Sequence, residues 1–563
     1  MSDHSKDVEQ IDELTGLSTF DSFRILAQDV LDDPTIRNDI AFVYFNVENF
    51  RSYNEKYGFA AGSDCLRLIG QTILAIFPQE ICTHVATDHF CIVADKNEIE
   101  EKIKKICEEL RPFRMETHMQ LHAGIYFPTP DDFECTLCMD KAKIACDSLK
   151  HQYDSMFGYY DEKLDDDYQR TRYIIEHFDD AIEKGYIFAW FQPLVRSFTG
   201  EISGYEALAR WHDPDLGFIS PGDFVPVLEK YHIIRRLDLA VTQYVCNVQK
   251  KIMESGGQIM PVSINLSQQD FVGGDIVSEI DEIVLDSGIP SEYINIEITE
   301  SIFSLDSERV KNIIDAFRLQ GYEVWMDDFG SGYSSLNSMQ MFTFDCLKLD
   351  MSFLAGFNES KNSKIIIESV IGMTKQLGIR TIAEGVETVE EADYLRKVGC
   401  DQIQGYLYSK PGPFEDIFNL DMPKENTGLR KYHEKIGTIN LLSQDPLGNE
   451  EDETKKIRFP MALVEEHKGE MLLLTFNEAF VEYIHSIGFL SVSDAQAFLN
   501  SDDELAVKVR DLMESALSHD SFEVCQYSKN NHRCTLQINN IANYRSRKAY
   551  LFLGLVAEND DLE

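Results

Sequence analysis

Positive charge is scarce in this sequence. Lys and Arg total 52 against 97 Asp and Glu, a formal net charge of −45 over 563 residues. Such a surface repels nucleic acid and anionic membranes, which argues against DNA or RNA as a partner. A phosphorylated substrate would have to be met by metal ions or by a few placed Arg and Lys. Regularly spaced cysteines are also missing. The 12 are scattered, and Cys135 and Cys138 form the only C-x-x-C, with no second pair near it to complete a metal site. That pair reads as one face of a helix. No signal peptide or long apolar run stands out, so the expectation is a cytoplasmic protein with reduced thiols and no transmembrane segment. What is present is an ordinary globular composition, 44% hydrophobic and 26% charged, in a chain long enough for three or four domains.

One stretch organises the rest. In Tyr322–Leu336 an apolar, β-prone segment runs into two adjacent carboxylates, Asp327 and Asp328, followed by a loop with Gly330 and Gly332. Neighbouring carboxylates resist joint ionisation unless a divalent cation lies between them, and hard oxygen donors suit Mg²⁺ or Mn²⁺. The bland alternative is a polar turn closing a buried strand. Around this stretch, apolar segments at 188–195, 204–211, 260–266, 293–299, 322–326, 344–349, 380–383 and 400–407 alternate mainly with helical patterns. Eight such units predict an α/β barrel of the TIM type over residues 181–418, with reactive side chains at the C-terminal strand ends. Those ends carry Glu206, Arg210, Asn265, Glu297, Glu300, Asp327, Asp328, Lys348, Asp350, Glu384, Glu387 and Gln404. A mouth ringed by carboxylates, an amide and a lysine is hard to explain as solvated surface.

The series QPLV, EALAR, SINLS, IEITE, DDFGSGYSSL, KLD, AEGVE and QGY, in this order, closely resembles the EAL family of cyclic di-GMP phosphodiesterases. The resemblance implies hydrolysis of cyclic di-GMP to linear pGpG with two Mg²⁺ or Mn²⁺ ions. It implies Glu206, Asn265, Glu297 and Asp327 on one ion, with Asp327 bridging to a second held by Asp328 and Glu384. Lys348 would orient the attacking water, and Glu300 would anchor the loop carrying Ser331. Glu387 and Gln404 would support water and metals, and Gln192, Leu208, Arg210 and Asp350 would meet the substrate. A silent cyclic di-GMP receptor is the alternative. Against it, every motif position is filled.

Upstream, strands and helices alternate over residues 10–155, as in one α/β domain. DELTGL, FNVENFRSYNEKYGFAAGSD and ATDHF make it similar to the GGDEF (diguanylate cyclase) family, in degenerate form. Asn46 stands where the family has a metal-binding Asp, and the signature loop is Ala86-Thr87-Asp88-His89-Phe90, without its glycines. Asn54 and Asp64 match guanine-contacting positions, which implies GTP as a ligand without cyclase activity. The charged stretch 156–180 reads as a connecting helix. Residues 457–563 read as a small α+β module, weakly similar to PAS-type sensors. The expected assembly is a homodimer.

Overall fold

The computed structural model describes residues 11–111, 119–149, 156–330, 339–354, 357, 361–437, 439, 459–519, 522–529 and 532–558. The chain divides into two compact units, Met1–His177 and Phe178–Glu563.

The first unit is a five-stranded sheet of order β2-β3-β1-β4-β5. Its strands are β1 (Ile40–Glu48), β2 (Ile81–Ala86), β3 (His89–Asp95), β4 (Gln120–Tyr126) and β5 (Phe157–Tyr159). Helices pack on both faces: apolar residues on alternate positions of β1 face different cores, Val43 and Phe45 one, Phe42 and Tyr44 the other. β2 and β3 form a hairpin, and the signature loop forms its turn, with Thr87 at φ +49° where glycine would sit without strain. Helix Phe59–Ile76 is, among the described residues, long and apolar enough to cross a membrane by length and composition. Its Cys65, Leu66, Ile69 and Ile73 are buried in the domain core. Cys135 and Cys138 lie on the inner face of helix Cys135–Asp147, both buried.

The second unit begins with an eight-stranded closed barrel. Its strands are β6 (Ile187–Arg196), β7 (Ile202–Asp213), β9 (Val262–Leu266), β10 (Ile294–Thr299), β11 (Glu323–Phe329), β12 (Cys346–Leu349), β13 (Arg380–Ala383) and β14 (Gln402–Ile403); β8 (Gly217–Ile219) extends β7 as a hairpin. β7 and β9 through β14 pair in parallel, but β6 is antiparallel to both neighbours, β7 and β14. This departs from the all-parallel TIM barrel. The cause is local: β6 and β7 are joined by a tight turn with Gly200 at φ +71°, and a connection without a crossover helix can only reverse the chain. Elsewhere helices such as Ile234–Glu254 and Ser307–Leu319 bury their apolar faces against the barrel.

After the barrel, helix Arg430–Gly437 leads to an antiparallel sheet of order β16-β15-β19-β18-β17. Its strands are β15 (Met461–His467), β16 (Glu470–Phe476), β17 (Glu523–Lys529), β18 (His532–Tyr544) and β19 (Arg547–Glu558), with three helices inserted between β16 and β17. One of them, Val492–Leu499, has eight residues, just over two helical turns.

Candidate active site

The barrel mouth is built by side-chain alternation. On β11, Glu323, Trp325 and Asp327 share one face; on β13, Arg380 and Ile382 do, and Glu384 follows directly. In a regular strand, Asp328 would point away from Asp327. Instead, pairing with β12 slips between Met326 and Phe329, and Asp328 takes φ +55°. This irregularity brings Asp327, Asp328 and Glu384 together, with one oxygen of each within 4.8 Å of the others. Gly330 follows at φ +100°, where a Cβ would stand 2.4 Å from the Phe353 ring.

Lys348, on β12 between β11 and β13, lies at the centre. Its Nζ is 2.6 Å from Glu384 Oε1, 2.8 Å from Glu297 Oε2, 3.2 Å from Asp327 Oδ1 and 3.4 Å from Glu206 Oε2. Lys348 and Glu297 are fully buried, and Glu206 and Asp327 nearly so. Gln404 Nε2 donates to Glu206 Oε2 (2.6 Å) and to Gln192 Oε1 (2.9 Å), while Asn265 Nδ2 lies 3.3 Å from Glu206 Oε1. These amides hold the Glu206 carboxylate in place.

One cation does not balance this many acids. Burial, and then the Glu206 and Asp327 charges, push Glu297 well above the carboxylate range against the pull of Lys348. Burial and the same neighbours raise Glu384 to about 7. Asp328 is raised by burial, by Asp327 and by Asp350. Burial alone would lower Lys348; the Asp327, Glu206, Glu297 and Glu384 carboxylates raise it instead. Glu297 Oε1 is buried with no hydrogen-bond partner. An orphaned, buried carboxylate oxygen in a cluster of hard oxygen donors fits a divalent cation. The donors that would hold one are Glu206, Asn265, Glu297, Asp327, Asp328 and Glu384.

A model of the EAL domain family matches residues 175–411, and one described as diguanylate cyclase, GGDEF domain, matches residues 9–155. The chain carries a GGDEF domain followed by an EAL domain. It is 27% identical over 413 residues to the cyclic di-GMP phosphodiesterase PdeR of Escherichia coli, covering 71% of this chain and 62% of that one. It is 25% identical over 407 residues to the bifunctional diguanylate cyclase/cyclic di-GMP phosphodiesterase MucR of Pseudomonas aeruginosa, covering 70% and 59%. Among solved structures, the PaMucR phosphodiesterase in its c-di-GMP complex aligns at 28% identity and TM-score 0.41 over 44% of this chain and 99% of that one. The chain spans about half the length of the first curated relatives it matches, 50% and 51%.

In the EAL domain, then, eight expected residues meet in one cluster: Glu206, Asn265, Glu297, Asp327, Asp328, Lys348, Glu384 and Gln404, with Gln192 at its edge. Arg210 lies four residues beyond Glu206, its guanidinium 4.9 Å from the centroid of the Trp190 ring and its Nη1 donating to the Ala209 carbonyl (2.8 Å). Burial pulls its pKa down. Trp190, absent from the sequence expectations, could have been found by stepping two residues back from Gln192 along β6. Leu208 pairs with Trp190 across the β6–β7 ladder. Asp350 accepts from Ser352 N (2.9 Å), capping the turn after β12. Glu300 is half-buried at the start of the 3₁₀ turn Glu300–Ser304. Ser331, its expected partner loop, lies outside the described residues. Glu387 is exposed, and its backbone N–H donates to Glu391 (3.0 Å), so the structure places its side chain outside the cluster. In the GGDEF domain, Asn46 on β1 sits in register with His89 and His122. Asn54 packs its carboxamide against Gly62, and the exposed Asp64 pairs with Arg67.

Proposed function

We propose that the EAL domain hydrolyses one phosphodiester of cyclic di-GMP, releasing linear pGpG. The observation that carries this reading is the convergence of Asp327, Asp328 and Glu384 with Glu297 and Glu206 around Lys348, with a buried Glu297 oxygen left unpaired. Glu206, Asn265, Glu297 and Asp327 would hold one Mg²⁺ or Mn²⁺, and Asp327, Asp328 and Glu384 a second. Bound divalent ions polarise phosphoryl oxygens and lower the pKa of water. The protein's own contribution is orientation. Gln404 and Asn265 fix Glu206, the slipped β11 register aims two adjacent carboxylates at one point, and Lys348 balances negative charge that would build up on the phosphoryl group. Arg210, braced on Trp190, presents a planar fork suited to a substrate phosphate. Glu300 supports the mouth from the 3₁₀ turn after β10. The same reading takes GTP as a ligand of the GGDEF domain through Asn54 and Asp64, and a cytoplasmic homodimer as the working form.

The test is direct. Purified protein incubated with cyclic di-GMP and Mg²⁺ should yield pGpG on chromatographic separation, and Asp327→Asn should not. Tight binding of cyclic di-GMP without cleavage in Mg²⁺ or Mn²⁺ would replace the enzyme with a receptor.

A further inference from the structure

At the opposite end of the barrel, Glu323 and Arg380, the first residues of β11 and β13, meet a helix that lies beyond the matched EAL domain. Arg430 Nη2 is 2.8 Å from Glu323 Oε1 and Arg430 Nε is 3.0 Å from Glu434 Oε1. Arg380 Nη1 is 3.1 Å from Glu434 Oε1, and Arg380 Nη2 also pairs with Glu323. The four side chains form a closed ring of alternating charge, each 13–28% exposed. The basic partners hold Glu323 at about 2 despite its burial, Arg380 and Arg430 acting in that order. Two members begin the strands that carry Asp327 and lead into Glu384. The other two lie one turn apart on helix Arg430–Gly437.

The same helix turns its other face to the C-terminal module. Tyr432 and Ile436, again one turn apart, pack with Leu463, Ala542 and Ala549, and Tyr432 Oη donates to Glu465 Oε2 (2.8 Å). Above the ring, Trp325 donates its indole N–H to Glu323 Oε2 (3.1 Å) and fills the barrel axis with Leu194, Cys346 and Ile382. Glu323, Trp325 and Asp327 thus make one column on β11, about 13 Å from floor to mouth at ~3.3 Å per residue. The top of that column is held by the ladder on one side only: Asp327 pairs with Thr299 of β10, while pairing with β12 slips between Met326 and Phe329. On the β12 side, where the ladder does not set the carboxylates, the seating of the strand below does.

We propose that Arg430 and Glu434 are positioning residues for the cation site: they seat β11 and β13 at the barrel floor and thereby set where Asp327 and Glu384 stand, which gives the C-terminal module a mechanical hold on the active site. The inference rests on the reading of Asp327 and Glu384 as ligands.

The experiment measures Mn²⁺ binding to the full chain, without substrate, from the paramagnetic resonance signal of free Mn²⁺, beside thermal unfolding in EDTA. Arg430→Gln should weaken Mn²⁺ binding by roughly three- to tenfold, below the ~10–100-fold typical of direct partners of metal ligands. Arg430→Lys, which keeps a cation at the ring, should recover most of it. Lys548→Gln breaks the Lys548–Glu466 pair (2.9 Å) elsewhere in the module and should bind like the parent. Should Arg430→Gln not fold, Glu434→Gln, which leaves both Glu323 pairs intact, carries the measurement. A purely structural ring would lower the unfolding temperature and leave Mn²⁺ affinity unchanged. That result, with Asp327→Asn still weakening the ion, overturns the inference and spares the site. If Asp327→Asn also binds Mn²⁺ like the parent, the ligand assignment is wrong and the inference falls with it.

Discussion

Lys348→Ala separates the structural role of the mouth from its catalytic one. The ammonium touches four carboxylates, at 2.6 to 3.4 Å, and its side chain is 1% exposed. Without metal, removing it leaves Glu206, Glu297, Asp327 and Glu384 facing one another with no cation among them. Stripping the partner from a buried ion costs about 3–5 kcal/mol. Protonation absorbs part of that, since Glu297 and Glu384 are already pushed upward, so the lower end, about 3 kcal/mol, is expected. For a barrel of this size, at roughly 2–4 °C per kcal/mol, the unfolding temperature in EDTA should fall by about 6–12 °C. Divalent cations should then stabilise the variant at least as much as the parent, because the ammonium no longer competes for the same oxygens; an ion at a hundred times its Kd contributes about 2.7 kcal/mol. Turnover of cyclic di-GMP should nevertheless drop, because the fixed positive charge near the reacting phosphoryl group is gone. The assay pairs calorimetry in EDTA and in Mg²⁺ with kcat across a Mg²⁺ titration. An unchanged unfolding temperature in EDTA together with parental turnover would refute this account of the lysine.

Asp328→Asn should raise the Mg²⁺ concentration needed for half-maximal rate, and Asp327→Asn should lower kcat further, since Asp327 is shared between both sets of donors; equal effects would argue against sharing. Glu425 is expected to govern acid stability. Its carboxylate, 2% exposed, accepts from Arg196 twice at 3.0 Å and lies 2.7 Å from His433 Nδ1, and despite burial the His433 hydrogen bond and then Arg196 hold it at about 2. A depressed carboxyl contributes stability above its unfolded value of ~4.3 and loses it as the pH falls toward 2, here about 3 kcal/mol. Glu425→Gln should flatten stability against pH between about 4.3 and 2 and lower it at neutral pH, as urea unfolding at stepped pH would show. Finally, the full chain carrying Asp327→Asn, which protects any product, should make no cyclic di-GMP from GTP; detectable product would overturn the reading of Asn46 and His89.

Much of the barrel was legible because each apolar segment is bounded by polar turns and separated by helical periodicity, and its mouth because the polar residue recurs at the same place in each segment. Glu387 is the exception at the site: it lies four residues past the end of β13 and is exposed. The sequence by itself determined which residue types stand at the strand ends, since solvated turns have no physical need for carboxylates, an amide and a lysine at successive strand ends. Only the tertiary structure decided how they meet. The slip in β11 that turns Asp328 beside Asp327 depends on pairing with β12, and the closure of the barrel by β6 depends on its meeting β14, far along the chain. The floor ring joins Glu323, Arg380, Arg430 and Glu434 across more than a hundred residues of chain. Local pattern reports what a residue is and which face it occupies; contacts between distant segments are set by packing, which no local period encodes.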